Sequence, residues 1–343
     1  MHRKHLAPVT SLALATTLAL GAALVAPDAH AASGHSRKPG YTFAVIGDVP
    51  YGQPAQDHFP TFIAGINADP DVSLVAHLGD IKSGSTTCDD QRFTTIRSDF
   101  DGFTDPLVYT PGDNEWTDCH RANNGGYQPL ERLAKVRSLF FSSPGTTLGA
   151  PAHVTSQADR GIPENVRFTR AGLSFATLHV VGSNNDLVPW FTNPGPTPEQ
   201  VAEQQHRMDA TIDNVREAFR TAREEHLPGV VLMQQADMFD GTVTDPELSD
   251  YSAFKPLIQA VIDESKRFKG AVYLFNGDSH RFNQDRPLAA GSPWLDFYGV
   301  HGSADNLRRV TVDGSDLGEA DWLKVTVRRH GRELLDIVQV PGS

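Results

Sequence analysis

The chain has 343 residues, with 30 Lys plus Arg against 42 Asp plus Glu, a formal net charge of -12 and 39% hydrophobic residues. This is ordinary globular composition and excludes wholesale disorder. The acidic balance argues against non-specific coating of nucleic acid, yet leaves room for a small phosphorylated substrate, because a bound metal inverts the local sign.

Residues 1–31 read as a secretory signal peptide. Arg3 and Lys4 supply the positive start, an apolar stretch runs from Leu6 to Ala26, and Ala29-His30-Ala31 fits the small-x-small cleavage rule. The rival reading is a retained membrane anchor. Pro8, Thr10, Ser11, Thr16 and Thr17 interrupt the run, and Pro27 and Asp28 follow it, which favours cleavage. No second apolar run of that length follows. The expectation is a secreted or extracytoplasmic protein with no membrane span in its mature form.

Export permits disulfides. Cys88 and Cys119 are the only cysteines, so a single bridge between them is expected. Closing a loop of about 30 residues would stabilise by roughly 3–4 kcal/mol. Two free thiols, or a metal-binding pair, are the alternatives; no Cys or His repeat at finger spacing supports the latter.

Residues 32–40 are small and polar and read as a flexible leader. Strand and helix patterns then alternate. Thr42–Ile46 is an apolar run ending in Gly47-Asp48, and Phe59–Ile66 has helical spacing. Ser73–Leu78 ends in Gly79-Asp80, and Asp89–Phe100 reads as a helix capped by Asp89 or Asp90. Leu107–Thr110 ends in Pro111-Gly112-Asp113, and Pro129–Phe141 is a helix candidate.

Val166–Thr169 and Ser174–Val181 flank Ala171-Gly172 as a hairpin. Thr197–Glu225 is the longest helical pattern, with Thr197 as N-cap and Pro198 at the first position. Val230–Met233 is a strand, Ala253–Phe268 a helix, and Ala271–Phe275 a strand ending in Asn276-Gly277-Asp278. From Trp294 to Val340 short strand-like runs alternate with Gly and Asp. The alternation predicts an α/β domain over 41–341 with a buried sheet and helices outside. The long loops Pro144–Gly161 and Asp186–Pro196 are expected to wall a site.

Four apolar runs thus end in Gly-Asp. One such pair is common turn chemistry, but four point further. In an open sheet, ligands bind outside the carboxyl ends of the strands. Four carboxylates in one crevice repel unless a cation sits between them, so the pattern predicts a metal site of one or two ions.

The order of these motifs resembles the calcineurin-like metallophosphoesterases. That family carries D-x-H, G-D, G-N-H-[DE], a lone His after an apolar strand, and G-H-x-H. Here the blocks read Asp48-Val49-Pro50, Gly79-Asp80, Gly112-Asp113-Asn114-Glu115, Val230 to Gln235, and Gly277-Asp278-Ser279-His280. The resemblance spans residues 42–282 and implies a four-layer α/β/β/α sandwich. It also implies a phosphoesterase acting on a phosphomonoester or phosphodiester through metal-activated water, which the N-terminal pattern would make an exported one.

The blocks depart from the family's. Pro50 and Asn114 stand where the family has imidazoles, Asn114 at the position of the catalytic His. Asp113 replaces an Asn ligand, Gln235 (with Gln234 as alternative) replaces the lone His, and Asp278 replaces the first His of the last block. The resemblance therefore implies Asp48, Asp80, Asp113, Gln235, Asp278 and His280 as metal ligands, with Asp80 bridging. So oxygen-rich a set suits Mg²⁺, Mn²⁺ or Ca²⁺ better than Zn²⁺.

The candidate catalytic set is Asp80, Asn114, His280 and Arg281. Arg281 and Arg121 are candidate phosphate clamps, because Arg offers a planar fork to phosphate oxygens. Asn114 cannot donate a proton to a leaving group, and spacing does not choose between His77, His120, His179 and Glu115 for that role. The lost imidazoles motivate a second reading, a non-catalytic descendant of the fold that binds a metal, ligand or partner in the same crevice. Bland readings stand beside these. Asp at a strand end often caps a turn, His77 reads as a core residue, Asn184 and Asn185 as turn residues, and Trp116 and Trp190 as packing. No G-x-S-x-G elbow, phosphate-binding loop or H-E-x-x-H helix is present. Oligomeric state is left open.

Overall fold

The structure, a computed structural model, describes residues 40–314, 320–328 and 333–342. The expected signal peptide and all but the last residue of the leader lie outside the described residues. In chain order the first elements are β1 (Thr42–Ile46), α1 (Gly52–Asn67), β2 (Val72–His77), α2 (Asp90–Phe100), β3 (Pro106–Tyr109) and α3 (Pro129–Phe140). Next come β4 (Leu148–Gly149), β5 (Thr155–Gln157), β6 (Ile162–Arg170), β7 (Leu173–Thr177), α4 (Gly182–Asp186), α5 (Pro198–Glu224) and β8 (Gly229–Met233). The last are α6 (Lys255–Arg267), β9 (Ala271–Asn276), β10 (Asn283–Asp285), α7 (Pro293–Tyr298), β11 (Leu307–Thr311), β12 (Trp322–Val327) and β13 (Leu335–Val340).

The strands form two mixed sheets, ordered β13-β12-β1-β2-β3-β4 and β10-β11-β9-β8-β7-β6-β5. β1, β2 and β3 run parallel in the first. β7, β8, β9 and β11 run parallel in the second. The two-residue period of a strand sends neighbours to opposite faces. Phe43 and Val45 of β1 join Phe175, Val231 and Phe275 of the other sheet in one apolar cluster. Ala44 and Ile46, between them, pack with Phe59 and Ile63 of α1 and Phe93 and Ile96 of α2. On the second sheet, Val230 and Leu232 pack with Phe219 of α5 and Ile258 of α6.

Local signals explain most boundaries. Asp89 caps α2 by accepting from the Arg92 N–H at 2.8 Å. Thr197 and Gln200 form a reciprocal capping box at the start of α5. Three elements differ from the reading of the sequence. α1 begins seven residues earlier than Phe59 and runs through Pro60, because Phe59, Phe62, Ile63 and Ile66 are all buried and packing outweighs the lost backbone bond. The tail contains a helix, α7, capped by Ser292. α4 is a single left-handed turn: Ser183, Asn184 and Asn185 have φ of 50°, 54° and 49°. Among the described residues no helix is long and apolar enough to cross a membrane.

Candidate metal centre

The carboxyl ends of β1, β2, β3, β8 and β9 converge, which brings the Gly-Asp turns of both sheets together. Asp48, Asp80 and His280 place one ligand atom each within 4.8 Å of one another. Asp80, Asp113 and Asp278 do the same, so Asp80 belongs to both triads. Asp48, Asp80 and Asp278 adopt left-handed backbone conformations, with φ of 54°, 57° and 76°. Asp tolerates that region better than most residues. At two of these turns the glycine's role is room for a carboxylate. A Cβ on Gly112 would lie 2.0 Å from Asp80 Oδ1, and one on Gly277 would lie 2.3 Å from Asp48 Oδ2.

Short hydrogen bonds orient the carboxylates. Both oxygens of Asp48 accept from the Asp278 N–H at 3.1 Å. Asp80 accepts at Oδ1 from the Asn114 N–H at 3.2 Å and at Oδ2 from Asn114 Nδ2 at 2.8 Å. Asp278 Oδ2 accepts from the Asp237 N–H at 3.1 Å. Ser183, from the left-handed turn, donates toward Asp113 Oδ2 at 3.1 Å and Asp118 Oδ1 at 2.7 Å.

Gln235 lies between the triads, hydrogen-bonded at both ends of its amide. Its Oε1 accepts from the Gly182 N–H at 2.7 Å, and its Nε2 donates to Asp80 Oδ2 and Asp113 Oδ1, both at 3.2 Å. A flipped amide would set two donors against each other at Gly182. Gln235 thus ties two carboxylates together through its amide nitrogen. Gln234, the alternative, donates to the Ala236 carbonyl.

The electrostatics are lopsided. Burial, then Asp113, Glu115, Asp48 and Asp278, push Asp80 well above the usual carboxylate range. Burial, then Asp113 and Asp48, do the same to Asp278. Burial lowers the Lys82 ammonium to about 8, against the pull of Glu115, Asp80, Asp118 and Asp113. Its one hydrogen bond among the described residues is to the Ser83 carbonyl at 2.9 Å. Among the described residues no Lys or Arg forms a salt bridge with Asp80, Asp113 or Asp278; besides Lys82, the cations nearby are Arg121 on Asp118 and Arg309 on Asp237. Buried carboxylates without a cation are costly, so the donor set fits a divalent ion.

The other candidates are dispersed. Arg281 is exposed and lines a neighbouring cavity of 220 Å³ with Asp237, Asp240, Ser279 and Asn283. Arg121 pairs with Asp118 at 2.6 Å and reaches Ser183 Oγ at 3.3 Å. None of the four groups considered as leaving-group acid faces the triads. His77 is bonded to the Val49 carbonyl and Gly79 N–H, and burial lowers it to about 4. His179 is buried against Glu164, and His120 accepts from the Phe191 N–H. Glu115 Oε1 accepts from Asp80 N–H, Gly112 N–H and the Tyr109 hydroxyl, which makes it a brace beneath the turns. Trp116 and Trp190 are both buried.

Cys88 and Cys119 are bonded, with Cα atoms 5.8 Å apart. Both sulfurs lie 3.5 Å from the Asn114 carbonyl oxygen, so the bridge braces the turn carrying Asp113 and Asn114. Sequence reasoning missed Tyr51, Ser183, Gly182 and Asp237. Tyr51 comes immediately after the first block, Asp48-Val49-Pro50, but no spacing rule pointed to it.

No protein-family model and no curated protein matches the sequence. Among solved structures, similarity is found to GAP50, the anchor in the inner membrane complex of Plasmodium, at 9% identity and TM-score 0.45, over 89% of this chain and 90% of that one. A purple acid phosphatase from yellow lupin seeds matches at 11% identity and TM-score 0.42 over 87% of this chain, which spans 51% of that phosphatase. The phosphopantetheinyl hydrolase of Mycobacterium tuberculosis matches at 15% identity and TM-score 0.42, over 88% of this chain and 96% of that one. These identities and TM-scores are too low to assign the chain to a family.

Proposed function

We propose that this chain is an exported, divalent-metal-dependent phosphoesterase with the calcineurin-like four-layer arrangement, acting on a small phosphomonoester or phosphodiester. The observation that carries the reading is Asp80, whose carboxylate is shared by two triads of ligand atoms. The layer arrangement is supported by the three apolar clusters: one between the sheets and one under the helices on each outer face. Export rests on the N-terminal pattern and on the disulfide.

Asp48, Asp80 and His280 would hold one ion, and Asp80, Asp113 and Asp278 a second. Mg²⁺, Mn²⁺ or Ca²⁺ suits these donors best. Bound ions would neutralise phosphate charge and lower the pKa of a coordinated water. The chain's own residues then have defined tasks. Asn114 Nδ2, 2.8 Å from Asp80 Oδ2, holds the shared carboxylate in place. Arg121, 41% exposed at its side chain and beside Ser183, would clamp a phosphate oxygen. Arg281, which lines the neighbouring cavity, would be a second phosphate clamp.

A second reading has its own observation. Asn114 stands in the cluster where the resemblance expects a proton donor, and its amide cannot supply a proton to a leaving group. A metal-binding descendant without hydrolytic activity fits that arrangement. A hydrolysis screen separates the two. The protein, supplied with Mg²⁺, Mn²⁺ or Ca²⁺, is assayed on aryl phosphomonoesters and diesters beside Asp80→Ala. The enzyme reading expects turnover that Asp80→Ala abolishes, and equal signal from the two proteins sinks it. Metal binding without turnover favours the second reading.

A further inference from the structure

We infer that the Tyr51 hydroxyl is the fourth donor of the Asp48, Asp80 and His280 triad, occupying the space that Pro50 leaves without an imidazole. This rests on the metal-site reading above and adds a ligand to it.

The geometry is that of a ligand shell. The Tyr51 hydroxyl oxygen lies 3.0 Å from Asp80 Oδ2, 3.2 Å from His280 Nε2 and 3.4 Å from Asp48 Oδ1. His280 Nε2 lies 3.3 Å from Asp48 Oδ1. Donor atoms at about 2.0–2.2 Å from a common cation stand about 3.0–3.5 Å from each other in octahedral or tetrahedral shells. The observed separations fall in that window. Hydrogen bonding alone accounts for the arrangement poorly. A phenol has one proton, and here it faces two carboxylates and an imidazole. The Asn114 amide donates to the hydroxyl oxygen at 3.1 Å, which orients the remaining lone pair and the proton toward the triad.

Position in the chain agrees. Tyr51 is three residues beyond Asp48, and the Asp48 and Tyr51 side chains enter the crevice from the same strand end. Tyr51 is 9% exposed, so its hydroxyl is held rather than swinging in solvent. Its ring meets the His280 ring edge-on, centroids 5.1 Å apart, which fixes both donors against each other. Among the described residues the second triad, Asp80, Asp113 and Asp278, has no phenol of this kind. The inference therefore makes the two sites unequal: the first is completed by protein donors, and the second keeps positions for water and phosphate.

Calorimetric titration of metal-stripped protein with Mn²⁺ tests this without any substrate. Tyr51→Phe keeps the ring and removes one oxygen. The expected result is a tighter class of sites weakened about 10–100-fold in Tyr51→Phe, with the weaker class unchanged. The ultraviolet difference spectrum of the wild-type protein on loading supplies a readout that needs no variant, and a perturbed tyrosine band is expected. Unchanged affinity in Tyr51→Phe, or a flat tyrosine spectrum on loading, overturns the inference and leaves the metal-site reading standing. If the wild-type protein binds no divalent ion, both fall. A negative hydrolysis screen touches only the enzymatic reading.

Discussion

Gly112 leaves room for Asp80: a Cβ at 112 would sit 2.0 Å from Asp80 Oδ1 and 2.7 Å from its backbone nitrogen. The third strand-end turn thus packs directly on the carboxylate shared by the two triads. Gly112→Ala must displace that carboxylate or the turn itself. The expected outcome is a loss of about 1–3 kcal/mol in stability, the usual cost of overpacking a tight contact. Metal affinity should fall further than that change in folding would explain. Chemical unfolding and calorimetric titration on the same variant measure the two effects.

The disulfide is the second test. Cys88 and Cys119 close a 31-residue separation and brace the Asn114 carbonyl. Replacing both cysteines with serine should cost about 3–4 kcal/mol by the chain-entropy account. Urea unfolding of wild type, with and without reductant, should reproduce that difference. An unchanged midpoint on reduction would show that the bridge contributes no stability.

The left-handed turn gives a third. Ser183 has φ of 50° and spans Asp113 and Asp118 through its hydroxyl. Ser183→Val removes that hydroxyl and puts a β-branched side chain in the left-handed region. The expected cost is about 1–3 kcal/mol. Ser183→Gly relieves the backbone and loses only the hydrogen bonds, so it should cost less. The order of the two melting temperatures decides the point.

Acid stability should report on a buried pair away from the triads. Glu164 is held by Arg137 at 2.6 Å and by His179 at 2.7 Å. Burial pushes Glu164 up, but Arg137 and His179 outweigh it and bring it down to about 2, from 4.5. Burial lowers His179 below its ordinary 6.5. Both groups have depressed folded pKa values, so both contribute stability at neutral pH that is lost on acidification. His179 begins to charge in the unfolded chain near 6.5, and Glu164 contributes its loss between 4.5 and about 2. Glu164→Gln should cost about 1–3 kcal/mol at pH 7, since it leaves a partly buried guanidinium without its carboxylate. It should also flatten the lower part of the curve, as read by unfolding free energy across pH.

Much of the scaffold was legible because its signals are local. The apolar run Thr42–Ile46 is β1, and Thr197 with Pro198 opens α5, because period and capping are properties of a few consecutive residues. The reading failed where packing overruled such signals. Helical spacing was visible only from Phe59, yet α1 starts at Gly52 and four buried side chains carry it through Pro60. Nothing in Ser183-Asn184-Asn185 announces three left-handed residues in a row. Their hydrogen bonds run to Asp113, Ser249 and Arg207, from distant parts of the chain.

The sequence by itself determined that four Asp residues follow apolar strands, that two cysteines are available to each other, and that the chain alternates strand and helix. These are one-dimensional facts, set by residue type and period. Tertiary structure decided which atoms face the crevice. It turned the Gln235 amide nitrogen, not its oxygen, toward the carboxylates, because Gly182 N–H claims the oxygen. It set Arg281 in a neighbouring cavity and brought the Tyr51 hydroxyl in beside Asp80. A side chain's neighbours come from strands far apart in sequence, and only the folded chain brings those strand ends together.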